Sequence, residues 1–257
     1  MRFLYLFRIQ LRQVFSLRLC LAVLLFPLLH LASVAGDWDP HRGSACYYFS
    51  LSVGSGVAYL TFYILPVLPF AMSLSQEWES HAVPYWVVRG GTARYTVSKL
   101  LASAISGFLV IGLGSLLLVL CSRMAAPAFW NPGDAPEQYE QLFLTGNQFL
   151  GWLLLITHYA LSGALVAMVG MFASIVFRSS YAAAAAPICG VFLLSRLLSD
   201  VVRDVNSIFW PFTWVTAIHL AETPWQTIAE KLVLVLVLGA VVCLSGVSCM
   251  KRRVRHA

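Results

Sequence analysis

Ser75 to Leu101 reads SQEWESHAVPYWVVRGGTARYTVSKLL. It is the longest polar interruption that carries several basic residues, and it separates two strongly apolar segments. Glu77 and Glu79 open it, Arg89, Gly90 and Gly91 turn it, and Arg94 and Lys99 close it. Between them Val83 to Val88 is apolar and aromatic, so the stretch is not simply a solvated loop. One side is charged and the other can dock. Two roles fit: a loop that seats on a soluble partner, or a connector at the membrane surface, where rings such as Tyr85 and Trp86 are favoured.

Outward from this stretch the chain is apolar. Of its 257 residues, 60% are hydrophobic and 11% charged, whereas soluble domains carry roughly 25% charged residues. The apolar runs reach the ~20 residues that a bilayer-crossing helix needs. Together these exclude a soluble fold. They predict an all-α integral membrane protein in which residues 1–257 form one transmembrane domain. No small-residue cleavage site follows a short apolar core, so the start is expected to be mature protein. The formal net charge of +6 does not indicate nucleic acid, because the basic residues lie at the ends of apolar segments, where they set orientation in a membrane.

Residues 1–16 are predicted as an amphipathic interfacial helix. Arg2, Tyr5, Arg8, Arg12 and Gln13 share one side, and Phe3, Leu4, Phe7, Leu11, Val14 and Phe15 share the other, as in helices that lie among lipid headgroups. A plain extension of the first span is the alternative. Six transmembrane helices are expected at about 17–35, 53–74, 96–120, 149–176, 181–198 and 228–250, with a loop at 75–95. Pro66 and Pro69 are expected to bend the second, and Gly36 to Pro40 to turn the chain after the first. Ser199 to Thr227 is neither plainly polar nor long enough in any apolar run to span. With Trp210, Phe212 and Trp214 at its centre it reads as an outer-interface segment, dipping partway in and returning between spans five and six.

Six spans put both termini on one side. If that side is cytoplasmic, it holds twelve of the 17 basic residues: Arg2, Arg8, Arg12, Arg18, Arg89, Arg94, Lys99, Arg178, Lys251, Arg252, Arg253 and Arg255. The other side keeps Arg42, Arg123, Arg196, Arg203 and Lys231. That asymmetry predicts cytoplasmic termini.

Motifs for chemistry are sparse. There is no P-loop, no His-Glu-x-x-His helix and no Gly-x-Ser-x-Gly elbow. No catalytic, cofactor-binding or metal residue is assigned. His158 and Ser162 share a helix face without an evident acid, and they read as helix-contact residues. His30 and His158 are the clear mid-span ionisable groups, each expected to hydrogen-bond between helices. Six cysteines form no Cys-x-x-Cys pair, and a Cys46–Cys121 disulfide is conceivable at the outer surface.

In this setting the chain resembles the membrane (permease) subunit of a type-two ABC exporter. The topology carries the resemblance over the whole chain. The motif carries it over Ser75 to Leu101, where an acidic helix end at Glu77 and Glu79 leads through an aliphatic stretch to Arg89-Gly90-Gly91-Thr92, Arg94-Tyr95 and Lys99-Leu100-Leu101. His81-Ala82-Val83-Pro84 departs from the small-residue helix start common in that family. The resemblance implies a coupling loop at 75–95 that, together with the N-terminal helix, docks on a separate ABC ATPase dimer. The residues implied are Glu77, Glu79, Arg89, Arg94 and Lys99; between them Tyr85 and Trp86 read as aromatic anchors for the partner, and Trp210, Phe212 and Trp214 read as the outer interface or gate. It further implies a second permease copy or a related one, ATP and Mg on the ATPase alone, and outward transport; the apolar, aromatic, charge-poor spans suggest a hydrophobic or amphipathic substrate, such as a lipid-like molecule or an antimicrobial peptide. A non-transporting membrane scaffold or sensor, and a membrane-embedded enzyme, are the alternatives.

Overall fold

The computed structural model describes residues 2–39, 43–54, 56–177, 179–199, 201–202, 207–216, 218 and 221–255, with the backbone alone at 2, 56 and 57. Among these residues the chain is all-α. Its helices are α1 (Arg2–Val14), α2 (Leu17–Val34), α3 (Ala45–Gly54), α4 (Gly56–Ile64), α5 (Ser73–Glu79), α6 (Ala82–Gly90), α7 (Thr92–Arg123), α8 (Glu137–Leu144), α9 (Gln148–Phe177), α10 (Ser180–Leu198) and α11 (Pro224–Arg255). Five stretches are long and apolar enough to cross a membrane: α2 with the turn that follows it, α7, α9, α10 and α11. At ~1.5 Å per residue each exceeds or nearly matches the ~30 Å hydrocarbon layer. The protein is thus a multi-pass membrane protein.

α9 is the central post. Of its most apolar window 72% is buried inside the chain, against 22% for α10 and 17% for α11, so α9 is packed by its neighbours while α10 and α11 face outward. It packs most extensively on α7. There Gly107 and Gly163 face each other so closely that a methyl group on either would run into the other's carbonyl. Ser103 Oγ, one turn before Gly107, donates to the Ala167 carbonyl at 2.8 Å. Small residues let two backbones meet where lipid supplies no hydrophobic drive, and an interhelical hydrogen bond adds to the contact.

The expected second span at 53–74 is not one helix. It is built from α3, α4, a turn region at 65–72 and α5. Pro66 and Pro69 have no N–H to donate, and their rings clash with the carbonyls four residues back, so the helix stops at Ile64. The freed backbone is not left to lipid. Leu65, Val67, Phe70 and Ala71 are buried, Val67 N–H bonds to the Ile64 carbonyl at 3.1 Å, and Ser174 Oγ of α9 donates to the Ala71 carbonyl at 2.9 Å. Irregular backbone at membrane depth survives only under such cover.

His30 binds this broken stretch to α2. Its Nδ1 lies 3.0 Å from Ser52 Oγ of α3 and its Nε2 2.9 Å from Thr61 Oγ1 of α4. It is the interhelical hydrogen bonder expected of it. His158 is another, with Nδ1 3.0 Å from the hydroxyl of Tyr139 on α8. The short helix α8 lies between α7 and α9. All six cysteines are free thiols, with Cys46 buried and Cys121 exposed, so the conceivable Cys46–Cys121 bridge is not formed.

α1 has three faces where two were expected. Leu6, Gln10 and Val14 are buried against the chain. Arg8 and Arg12 are exposed, and so are Leu4 and Phe15 of the apolar face. Pro40, Arg42, Arg178 and Arg203 lie outside the described residues, as does part of the segment expected to re-enter between Ser199 and Thr227.

Candidate functional site

Ser75 to Leu101 folds as two short helices at the foot of a long one. α5 ends at Ser80, whose N–H bonds back to the Gln76 carbonyl at 3.0 Å. His81 then takes a left-handed backbone at φ 57° to start α6. Gly91, at φ 83°, ends it and starts α7. A non-glycine residue at Gly91 would be strained. Two positive-φ residues therefore bracket α6 and set its direction apart from both neighbours.

The carboxylate of Glu77 fixes α5 to α7. Lys99 Nζ donates to Glu77 Oε1 at 2.6 Å and to Ser73 Oγ at 3.1 Å. The Tyr95 hydroxyl, one turn before Lys99, donates to Glu77 Oε2. Lys99 also stands 4.9 Å from the centre of the Phe70 ring. The Lys99 side chain is wholly buried and that of Glu77 is 16% exposed. A buried ammonium persists only when paired and fully hydrogen-bonded, and here a carboxylate, a hydroxyl and a ring face supply that shell. Lys99 is the partner of Glu77 because it lies two turns into α7, directly against α5, whereas Arg89 and Arg94 are exposed.

α6 divides its side chains sharply. Val83, Val87 and Gly90 are buried, and Trp86 is half-buried against the core. Gly90 meets the side chain of Leu6 on α1. Outward stand Tyr85, 54% exposed, and Val88, 85% exposed, with the Arg89 guanidinium 4.1 Å from the centre of the Tyr85 ring. Glu79 is exposed at the end of α5. The arrangement thus separates the expected residues into a buried lock (Glu77, Lys99), an internal wedge (Trp86) and an exposed face (Tyr85, Arg89, with Glu79 and Arg94 beside it). Tyr95, Ser73 and Phe70 belong to the lock and were not singled out for it in the sequence; the spacing of Tyr95 one turn before Lys99 was the available signal.

The aromatic segment at the far end of the bundle is also ordered by contacts. Residues 211–214 form a turn of 3-10 helix. Phe212 packs edge-on against Phe192 of α10 at 5.3 Å and lies 6.4 Å from Tyr59 of α4 and 6.1 Å from Trp210. Trp214 Nε1 donates to the Ile208 carbonyl at 2.9 Å. Lys231 of α11, wholly buried, donates to the Thr213 and Trp214 carbonyls at 2.7 and 2.9 Å. The last carbonyls of a short helix have no internal partner, and Lys231 supplies one. In the split of basic residues Lys231 is only an outer charge; nothing local in the chain marks it as a clamp.

No protein-family model matches this sequence, nor does any curated protein or solved structure. Among the described residues no group of three His, Cys, Asp or Glu side chains is placed to hold a metal ion.

Proposed function

We propose that this chain is the permease subunit of an ATP-driven ABC exporter whose ATPase is a separate chain. The observation that supports this best is α6. It is a short surface helix with hinge-like ends, its inner face packed on α1 and the core, its outer face bearing Tyr85, Val88 and Arg89. Its base is tied through Glu77 and Lys99 into the foot of α7. A partner that moves α6 therefore pulls on a membrane-length helix, which is what a two-state element biased from another chain requires. The ATPase dimer seats on Glu79, Tyr85, Arg89 and Arg94, while Glu77, Trp86 and Lys99 pass its motion inward.

In this reading the chain crosses the cell membrane six times, with the broken stretch from α3 to α5 as the second crossing. Two bonds support that count. Ala45 N–H bonds to the Pro127 carbonyl, just beyond the end of α7, while Glu77 bonds to Lys99 near its start. The split of basic residues puts both termini in the cytoplasm, and Trp210, Phe212 and Trp214 then form a re-entrant outer segment. α10 and α11, mostly uncovered in one chain, supply faces for a second permease copy. ATP and Mg belong to the ATPase. The charge-poor spans suit a hydrophobic or amphipathic substrate, lipid-like or an antimicrobial peptide.

The test is purification of the tagged chain from its native membrane in mild detergent. The reading expects an ABC ATPase in stoichiometric association, lost on Val88→Asp and retained on Arg196→Gln. A chain that is functional in liposomes without any ATPase supports a scaffold, sensor or enzyme instead.

A further inference from the structure

The foot of the bundle holds a cleft of about 430 Å³, within the usual range for small-ligand sites. Three elbows meet around it: the junction of α1 and α2, the proline turn at 65–72, and the end of α5. Gln13, Ser16, Arg18, Gln76 and Ser80 line it with polar groups over the ring of Phe70. Glu77 also reaches the wall, but both its oxygens are engaged by Tyr95 and Lys99, and Lys99 balances its charge. Arg18 is then the uncompensated charge of the cleft. Among the described residues it makes one long bond, to Gln76 Oε1 at 3.4 Å. The Ser16 hydroxyl oxygen is buried, has no hydrogen-bond partner among the described residues, and caps no helix N–H.

We infer that this cleft binds the phosphate of a membrane phospholipid headgroup. A guanidinium fork with hydroxyl and amide donors around it matches a tetrahedral oxyanion, and the buried Ser16 oxygen gains the partner that a buried polar group requires. The lipid source follows from the neighbours in sequence. Phe15 and Leu17 are 65% and 74% exposed on either side of Ser16, and α2 starts its membrane-length run at Leu17. The mouth of the cleft therefore sits where polar surface gives way to apolar. Basic pockets at that depth take lipid headgroups. Such a lipid would tie the α1–α2 junction to α5. The inference needs no transport and stands independently of the exporter reading.

The test uses the purified full chain in nonionic detergent, with bound species counted by native mass spectrometry. The probes are dioctanoyl phosphatidic acid, dioctanoylglycerol and inorganic phosphate. The expected result is one retained phosphatidic acid and no retained dioctanoylglycerol. Arg18→Gln should weaken retention about tenfold, since hydrogen bonds to charged groups are the stronger kind, and Ser16→Ala should weaken it about fivefold. Arg12→Gln, at an exposed arginine outside the cleft, should leave it unchanged. Elution volume and melting temperature equal to the parent's establish that the variants are folded. Retention unaffected by Arg18→Gln, or reduced equally by Arg12→Gln, overturns the site. Retention of dioctanoylglycerol overturns recognition of the phosphate, and displacement by inorganic phosphate at equal concentration overturns the lipid assignment.

Discussion

Lys99 Nζ lies 2.6 Å from Glu77 Oε1, and the pair is unequally buried: the lysine side chain is wholly enclosed while the carboxylate is 16% exposed. The two are separated by α6 and its hinges in sequence, so this one bond closes the whole organising stretch onto itself. It joins the foot of α7 to α5 while leaving the outer face of α6 free to meet another molecule.

The unequal burial predicts unequal damage. Glu77→Gln leaves an ammonium deep in the protein without a counter-charge, which typically costs about 3–5 kcal/mol. Lys99→Met leaves a carboxylate that still reaches water and should cost clearly less. Thermal melting in detergent, followed by gel-filtration peak height, should rank Glu77→Gln below Lys99→Met. Equal losses would mean that the pair does not carry the contact.

Tyr85 and Trp86 are neighbours with opposite assignments. The sequence suggested Trp86 as the partner's anchor, but it is turned in against the core. Trp86→Ala should therefore lower stability by about 2 kcal/mol, part of the usual cost of an aromatic truncation. Tyr85→Ala should leave the melting temperature unchanged and weaken ATPase retention several-fold, as loss of an interface anchor does. The reverse pattern in melting and co-purification would put Trp86 at the interface.

Gly107 and Gly163 admit no added bulk at the α7–α9 crossing. Gly107→Leu should force the two helices apart and cost more than the ~1–3 kcal/mol of ordinary overpacking, seen as loss of the monodisperse gel-filtration peak. Gly190→Leu on α10, where a side chain meets open space, should be tolerated.

Lys231→Met removes the clamp on the Thr213 and Trp214 carbonyls. Hydrogen exchange at 211–216 should rise at least tenfold, while α7 and α9 stay protected. In the exporter reading, transport should fall with the ATPase still bound, as should also happen when Trp210, Phe212 and Trp214 are all replaced by Ala. Unchanged exchange at 211–216 would remove Lys231 from that role.

The sequence shows most of this fold because apolar length is a local property. The expected spans at 17–35, 96–120, 149–176, 181–198 and 228–250 each fall on one long helix, with edges that differ by a few residues. The second did not, since Pro66 and Pro69 signal a bend but not how much of the helix is lost; that depends on whether neighbours such as Ser174 can cover the freed carbonyls. The site was legible as a stretch but not as a set of contacts. Which of Tyr85 and Trp86 turns inward depends on where α1 packs. The burial of Lys231 depends on a segment about 17 residues away folding over it. The third face of α1, at Leu6, Gln10 and Val14, appears only once α6 and α7 are in place.

In the exporter reading an ATPase seats on the outer face of α6, and site-directed crosslinking reports that contact. A photoreactive amino acid at Val88, the most exposed position of that face at 85%, is placed in the full chain in its native membrane, with Trp86 as the inward control. The expected result is a crosslink from position 88 to an ABC ATPase, changed in yield by ATP with vanadate, and none from position 86. Crosslinks from position 88 to lipid alone, with or without nucleotide, would contradict it and make the stretch a membrane-surface connector.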